Sequence, residues 1–323
     1  MADKIPVIKQ PMLPTLVDAP FDDDEWLFEV KWDGIRAICT IRASGAYELI
    51  SRNHLSLNAK FPELDGLNRD FKGAPLVIDG EIVSLDAKGR SSFQRLQRRF
   101  KSGSGGSSSG GHIVYSVFDL LYDGSHDLRS APLEQRKAAL QRSIKPNAKL
   151  VILSKHIIGA GKRLFAEARR QTLEGIVAKR RDSTYQERRS RDWLKIKTHL
   201  EQEFVVAGWT DPQGSRKEFG ALLLGVYERG ALAFCGAVGT GFDGATLREV
   251  KAKLKPLASE RCPFEPPPPP IVARTAHWVR PKLVAEIKFG EWTSDGQLRQ
   301  PVFLGLRTDK DAKDVVHERP VER

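Results

Sequence analysis

One short stretch holds a lysine, an aspartate and an arginine at a spacing that could carry nucleophilic chemistry: Glu29-Val30-Lys31-Trp32-Asp33-Gly34-Ile35-Arg36. A lysine amine attacks only after losing its proton, so burial or neighbouring cations must lower its pKa first. Apolar and polar residues alternate over 26–42, which reads as a strand, a turn that Asp33-Gly34 can make, and a return strand. Lys31 would then stand at the end of a rigid strand, a good position for a nucleophile. Glu29 would share its face, and Phe28, Val30 and Trp32 would take the other. Taken alone, a Lys-x-Asp-Gly match is weak, because an exposed lysine on a hairpin fits it equally well.

More charged residues recur on or beside other apolar runs. Asp79-Gly80-Glu81 interrupts the run 75–85 with carboxylates, where an unpaired charge is costly. Glu174 opens the run 174–179, with Lys179 at its far end. Lys195 and Lys197 share one face of a strand whose other face carries Leu194 and Ile196. Ser51-Arg52-Asn53 ends a short strand with a cation. Lysine and arginine suit phosphates, while carboxylates suit a hydroxyl or a metal. There is no Gly-x-x-x-x-Gly-Lys-Ser/Thr loop, so side chains must hold any phosphate.

The elements that position these residues fall into two groups. The chain has 323 residues, enough for two domains with real cores. Helical spacing marks 61–71, 92–100, 134–143 and 161–171, and strands run between them. The Gly/Ser run at 101–111 reads as a flexible loop. Past residue 200 come five short strands with one helix between the third and fourth, the order of an OB-fold barrel. The boundary is expected near Leu200, giving domains 1–200 and 201–323. A net charge of +11 points to a polyanionic partner. Cys39, Cys235 and Cys262 show no paired spacing, which argues against a disulfide framework or a zinc site and fits a reducing cytoplasm. No apolar run approaches the ~20 residues of a membrane span.

Taken in order, the charged motifs resemble those of the covalent nucleotidyltransferases: DNA ligases, RNA ligases and mRNA capping enzymes. The series runs Lys31-x-Asp33-Gly34-x-Arg36, Ser51-Arg52-Asn53, Asp79-Gly80-Glu81, Tyr115-Ser116-Val117-Phe118-Asp119, Glu174-Gly175-Ile176-Val177-x-Lys179, Trp193-x-Lys195-x-Lys197 and Arg307-x-Asp309-Lys310. Residues 11–26 and 299–307 are most similar to the ligase domain of bacterial end-joining ligases of the ligase D type. The resemblance implies an α+β, two-domain nucleotidyltransferase, with ATP-grasp-like antiparallel sheets and helices in the adenylation domain and a C-terminal OB-fold β-barrel. NAD-dependent ligases share the Lys-x-Asp-Gly motif but carry a cysteine zinc module, so the resemblance here implies ATP.

By the same resemblance, Lys31 is the nucleophile that takes up AMP. Arg36, Lys195 and Lys197 lie near the phosphates and lower the Lys31 pKa. Glu29, Glu81, Phe118 and Lys179 belong to the nucleotide pocket, Glu81 on the ribose hydroxyls and Phe118 stacked on adenine. Glu174 holds Mg2+ or Mn2+, with Asp33 the second metal candidate. Arg52 grips the 5′-phosphate of a nick. Arg307, Asp309 and Lys310 act from the small domain when it closes over the nucleotide. The implied partners are nicked or broken double-stranded DNA and end-joining repair proteins, for a monomer in the bacterial cytosol. RNA ligation, guanylyl transfer to an RNA end, and a non-catalytic OB-fold nucleic-acid-binding protein are the alternatives.

Overall fold

The computed structural model describes residues 4–101, 111–212, 214 and 217–322. The Gly/Ser run from 102 to 110 lies outside the described residues. The chain divides into two compact units, Met1–Thr198 with Pro320–Arg323, and His199–Arg319.

In the first unit the order is β1 (Leu13–Leu16), β2 (Asp23–Val30), β3 (Ile35–Ile41), β4 (Tyr47–Ser51), β5 (Leu76–Leu85), α1 (Phe93–Lys101), β6 (His112–Tyr122), α2 (Leu133–Ser143), β7 (Val151–Leu153), β8 (His156–Gly159), α3 (Gly161–Arg170), β9 (Gly175–Arg180) and β10 (Arg189–Lys197). They form two five-stranded sheets, ordered β1-β10-β9-β2-β8 and β4-β3-β5-β6-β7. The expected antiparallel pattern is broken at two places, since β1 runs parallel to β10 and β6 parallel to β7.

β2 and β3 do not form a hairpin. They belong to different sheets, and residues 31–34 carry the chain from one to the other. The Lys31 amide still donates to the Gly175 carbonyl at 2.9 Å, which holds the start of the crossover against β9. Gly34 then passes so close to β5 that a Cβ would sit 2.2 Å from the Ile82 carbonyl oxygen. Only glycine lets the backbone through there.

The helix expected over 61–71 is a series of short 3-10 turns, Asn58–Lys60, Pro62–Leu64 and Leu67–Asp70. Pro62 withholds an amide, and Gly66 turns left-handed at φ 85°, so no continuous helix forms. Phe61, Leu64, Leu67 and Phe71 are nevertheless buried in one core cluster. β6 is buried over its whole length after His112. A buried strand that carries Asp119 needs a counter-charge, and Arg136 of α2 supplies it through bonds of 2.8 and 2.9 Å.

The second unit contains β11 (Leu200–Thr210), β12 (Leu222–Glu228), β13 (Ala231–Val238), α4 (Gly244–Leu254), β14 (Ala258–Ser259), β15 (Ala276–Phe289), the hairpin β16 (Glu291–Trp292) and β17 (Leu298–Arg299), and β18 (Val302–Arg307). The sheet runs β13-β12-β11-β15-β14, with β18 also on β15. Strands β11, β12, β13, β15 and β18, with α4 after the third, make an OB fold. The continuous ladders leave the expected barrel open. Past the end of β13, Thr240 forms a parallel bridge with Val302 at the start of β18. No helix among the described residues is long and apolar enough to cross a membrane.

Arg136 and Asp119 are both fully buried, so removing one partner strands the other charge. Arg136→Leu should cost about 3–5 kcal/mol of unfolding free energy. Asp119→Leu combined with Arg136→Leu should recover most of that loss. Urea midpoints of the two variants test this directly.

Candidate active site

Lys31 lies where the chain leaves β2, with its side chain 23% exposed. Its Nζ stands 2.5 Å from the Glu174 carboxylate, which precedes β9. Lys197 pairs with Gly175 in the β10–β9 ladder, and Lys195 lies two residues before it. Both lysines act electrostatically on Glu174, and Lys197 and Glu81 act on Lys31. The fold therefore gathers Lys31, Glu81, Glu174, Lys195 and Lys197 from four strands and their ends.

The charge balance differs from the one expected. Burial pulls the Lys31 pKa down, but Glu174 overrides burial and Lys197 and raises it above the ordinary value. Burial pushes Glu174 up, and Lys31, Lys197 and Lys195 together bring it below the carboxylate range. Lys31 is thus held as an ammonium rather than a ready amine. The reason is proximity, because a carboxylate at 2.5 Å outweighs more distant cations.

Arg36 is spent on a buried partner. Its Nε and Nη2 donate to Asp79 at 3.0 and 2.6 Å, and the Tyr185 hydroxyl donates to the same carboxylate at 2.7 Å. The guanidinium lies over the rings of Phe118 and Trp193. Phe118 is 8% exposed and packs edge-on against Trp193. The Asp33 carboxylate, the second metal candidate, accepts the Phe93 amide at 2.8 Å and caps the start of α1. Arg52 follows β4 and lines a groove of about 490 Å³ with Lys4, Arg42 and His54.

Glu29 is buried beneath the crossover. Lys137 donates to its Oε1 at 2.6 Å, Lys179 to the same oxygen at 3.2 Å, and Ser154 to Oε2 at 2.7 Å. Burial pushes the Glu29 carboxyl up, but the two lysines hold it below its usual range. The Lys179 ammonium also lies 4.2 Å from the ring centres of both Phe118 and Trp193. Burial, reinforced by Lys137 and opposed by Glu29, brings Lys179 down to about 8.

In the second unit, Arg307 is bound twice to Asp309, at 2.9 and 2.7 Å, and once to Glu286 at 3.0 Å. Lys310 pairs with Glu203 at 2.8 Å. Sequence reading missed Lys137, Ser154 and Tyr185, and it missed Asp79 as the partner of Arg36. Asp79 carried a signal, being a carboxylate inside an apolar run. The others carried none, because their partners are more than 100 residues away.

Two sheets joined at a partly buried lysine, followed by an OB fold, make up a nucleotidyltransferase domain with its C-terminal companion. Residues 11–197 match the ATP dependent DNA ligase domain and residues 215–310 the ATP dependent DNA ligase C terminal region. The chain belongs to the ATP-dependent DNA ligase family. It is 39% identical over 320 residues to the multifunctional non-homologous end joining protein LigD of Pseudomonas aeruginosa, covering 96% of this chain and 36% of that protein. Against the protein of the same name from Mycolicibacterium smegmatis, identity is 38% over 311 residues, covering 95% and 39%. The chain therefore spans less than two-fifths of the length of these relatives. A solved mycobacterial DNA ligase D, complexed with ATP and MES, superposes with a TM-score of 0.68 at 36% identity, over 96% of this chain and 98% of that one.

The Lys179 assignment has a pH signature. Between about 8 and the ordinary 10.5, the unfolded chain keeps a proton that the folded chain has released. Stability must rise with pH across that window on account of this group. The stability difference between the wild type and Lys179→Met should therefore shift in favour of the wild type from pH 8 to 10.5, and stay flat below 8. Denaturation series at matched pH would show it, and a constant difference would contradict it.

Proposed function

We propose that this chain seals 3′-hydroxyl/5′-phosphate nicks in double-stranded DNA, using ATP, through a lysyl-AMP on Lys31. The observation that carries the reading is Lys31 at 2.5 Å from Glu174, beside Lys195 and Lys197, in a chain of the ATP-dependent DNA ligase family.

In the first step the Lys31 Nζ forms a bond to the α-phosphorus as the bond to the β-phosphate oxygen breaks, and pyrophosphate leaves. Lys31 attacks as the free amine, so Glu174 has to let go of the ammonium as the nucleotide binds and the Lys31 proton passes to solvent. Lys195 and Lys197 stabilise the charge that develops on the phosphate oxygens. Glu81 accepts the ribose hydroxyls, and Glu29 accepts the exocyclic amino group of adenine, with Lys179 and Phe118 forming the wall beside it. Arg36 supports that wall from its bond to Asp79. Arg307, Asp309 and Lys310 are assigned to the departing pyrophosphate, a role in which Arg307 would trade Glu286 for a phosphate. In the second step an oxygen of the DNA 5′-phosphate, gripped by Arg52, displaces Lys31 from the AMP phosphorus. The 3′-hydroxyl then displaces AMP and closes the strand.

The residues fit one divalent cation, Mg2+ or Mn2+, at Glu174. A lone carboxylate suits an ion that keeps water and phosphate oxygens as its other ligands. When bound there, it would neutralise phosphate charge during the transfer.

End joining is the setting favoured by the named relatives, with broken DNA ends and repair proteins as partners. Incubation with α-labelled ATP and a divalent cation, followed by denaturation, should leave label on the protein. Lys31→Ala should abolish it. Lys31→Arg should do the same, since a guanidinium stays protonated. Labelling that persists in either variant overturns the assignment, and labelling by GTP in place of ATP would favour guanylyl transfer instead.

A further inference from the structure

Lys137 lies outside every motif that nucleotidyl transfer called for, yet α2 buries it to 4% exposure. Its Nζ stands 2.6 Å from Glu29 Oε1, 3.3 Å from the Phe118 carbonyl oxygen and 3.4 Å from the Ser154 carbonyl oxygen. An ammonium has three N–H donors, and these contacts can use all three. The partners belong to β2 of one sheet, β6 of the other, and the residue that follows β7. An apolar side chain would anchor α2 without the desolvation that a buried charge entails. The ammonium therefore does something that packing alone does not.

Its effect falls on Glu29. Oε1 accepts from Lys137 and Lys179, and Oε2 accepts from the Ser154 hydroxyl. That hydroxyl in turn accepts from the indole Nε1 of Trp32, the neighbour of Lys31, at 3.0 Å. A carboxylate offers about four acceptor positions, and these bonds occupy three. The fourth then has a set direction. By holding the Phe118 carbonyl as well, the same ammonium keeps β6 and its Phe118 ring in register with Glu29. Lys179 cannot substitute, since its own ammonium is pinned between two aromatic rings.

We propose that Lys137 is a positioning residue for nucleobase selection: it locks Glu29 so that the remaining acceptor meets the exocyclic amino group of adenine. Guanine places a carbonyl oxygen at that position, and a locked carboxylate repels it. The proposal rests on the ligase reading above and adds to it the source of base specificity. A Glu29 freed from Lys137 could turn, and both affinity for ATP and rejection of GTP would fall.

The test uses the full chain and follows covalent labelling of Lys31 by α-labelled ATP and, separately, α-labelled GTP. Lys137→Met keeps the apolar stem and removes the ammonium. The expected result is a KM for ATP raised about ten- to a hundredfold, the loss seen when the hydrogen-bonded partner of a metal ligand is removed, taken here as the guide. The turnover of labelling should change by less than about threefold, as for a loss of binding alone. The preference for ATP over GTP should shrink. Glu29→Gln combined with Lys137→Met leaves one ammonium, Lys179, without its carboxylate where Glu29→Gln alone leaves two, so urea midpoints of the variants are recorded beside the labelling to separate a folding defect. Its preference between ATP and GTP should match that of Glu29→Gln alone, because Lys137 acts on base choice through that carboxylate. An unchanged KM and ATP preference in Lys137→Met overturns the proposal, and so do losses of that preference that multiply in the double variant. If wild-type protein takes no label from ATP, the ligase reading itself has failed.

Discussion

Cations gathered in one partly buried site repel one another and resist burial, so a site of this kind must carry its own counter-charge. In the first unit three carboxylates meet that constraint. Glu174 holds Lys31, Asp79 holds Arg36, and Glu29 holds Lys137 and Lys179. Each sits on or next to a strand, and each cation comes from a part of the chain remote from its carboxylate. The arrangement of the two sheets around the crossover depends on this neutralisation, because an unmatched charge in any of the three places would cost several kcal/mol.

The three carboxylates are not equivalent. Asp79 is fully buried and ties Arg36 to Tyr185 beneath the aromatic cluster of Phe118 and Trp193. Glu174 and Lys31 form a pair at the edge of the site, where an arriving phosphate or cation can compete for either member. Glu29 is intermediate, buried but with an acceptor position to spare. The second unit uses the same device in Arg307, Asp309 and Glu286, a network that satisfies its charges within the OB fold.

Backbone passage is the second constraint. The chain leaves one sheet after Val30 and enters the other at Ile35, and Gly34 is the point of closest approach to β5. Because Lys31 belongs to this short link rather than to a hairpin, it is supported from both sides. The Gly175 carbonyl holds its amide, while the Trp32 indole bonds to Ser154. A lysine on a free hairpin would have neither restraint.

Much of this is legible in the amino-acid sequence. The order of charged motifs, the strand residues that carry them and the five-strand pattern after residue 200 all follow from local periodicity and turn residues, which act over a few positions. Lys31, Glu174, Lys195 and Lys197 can be named as a group because their motifs, taken in order, resemble those of the covalent nucleotidyltransferases. Tertiary structure alone decided what each charge faces. The turn at Asp33 and Gly34 looks like a hairpin locally, and only the pairing of β2 with β9 and of β3 with β5 shows the chain changing sheets. The expected low pKa of Lys31 became a raised one because Glu174, 143 residues away, lies closer than any cation. Lys137 was invisible for the same reason: in sequence it is one polar residue among several in a short helix, and its meaning comes from a carboxylate 108 residues away. Charge balance in a buried site is a sum over neighbours in space, and neighbours in space are what a one-dimensional pattern does not contain.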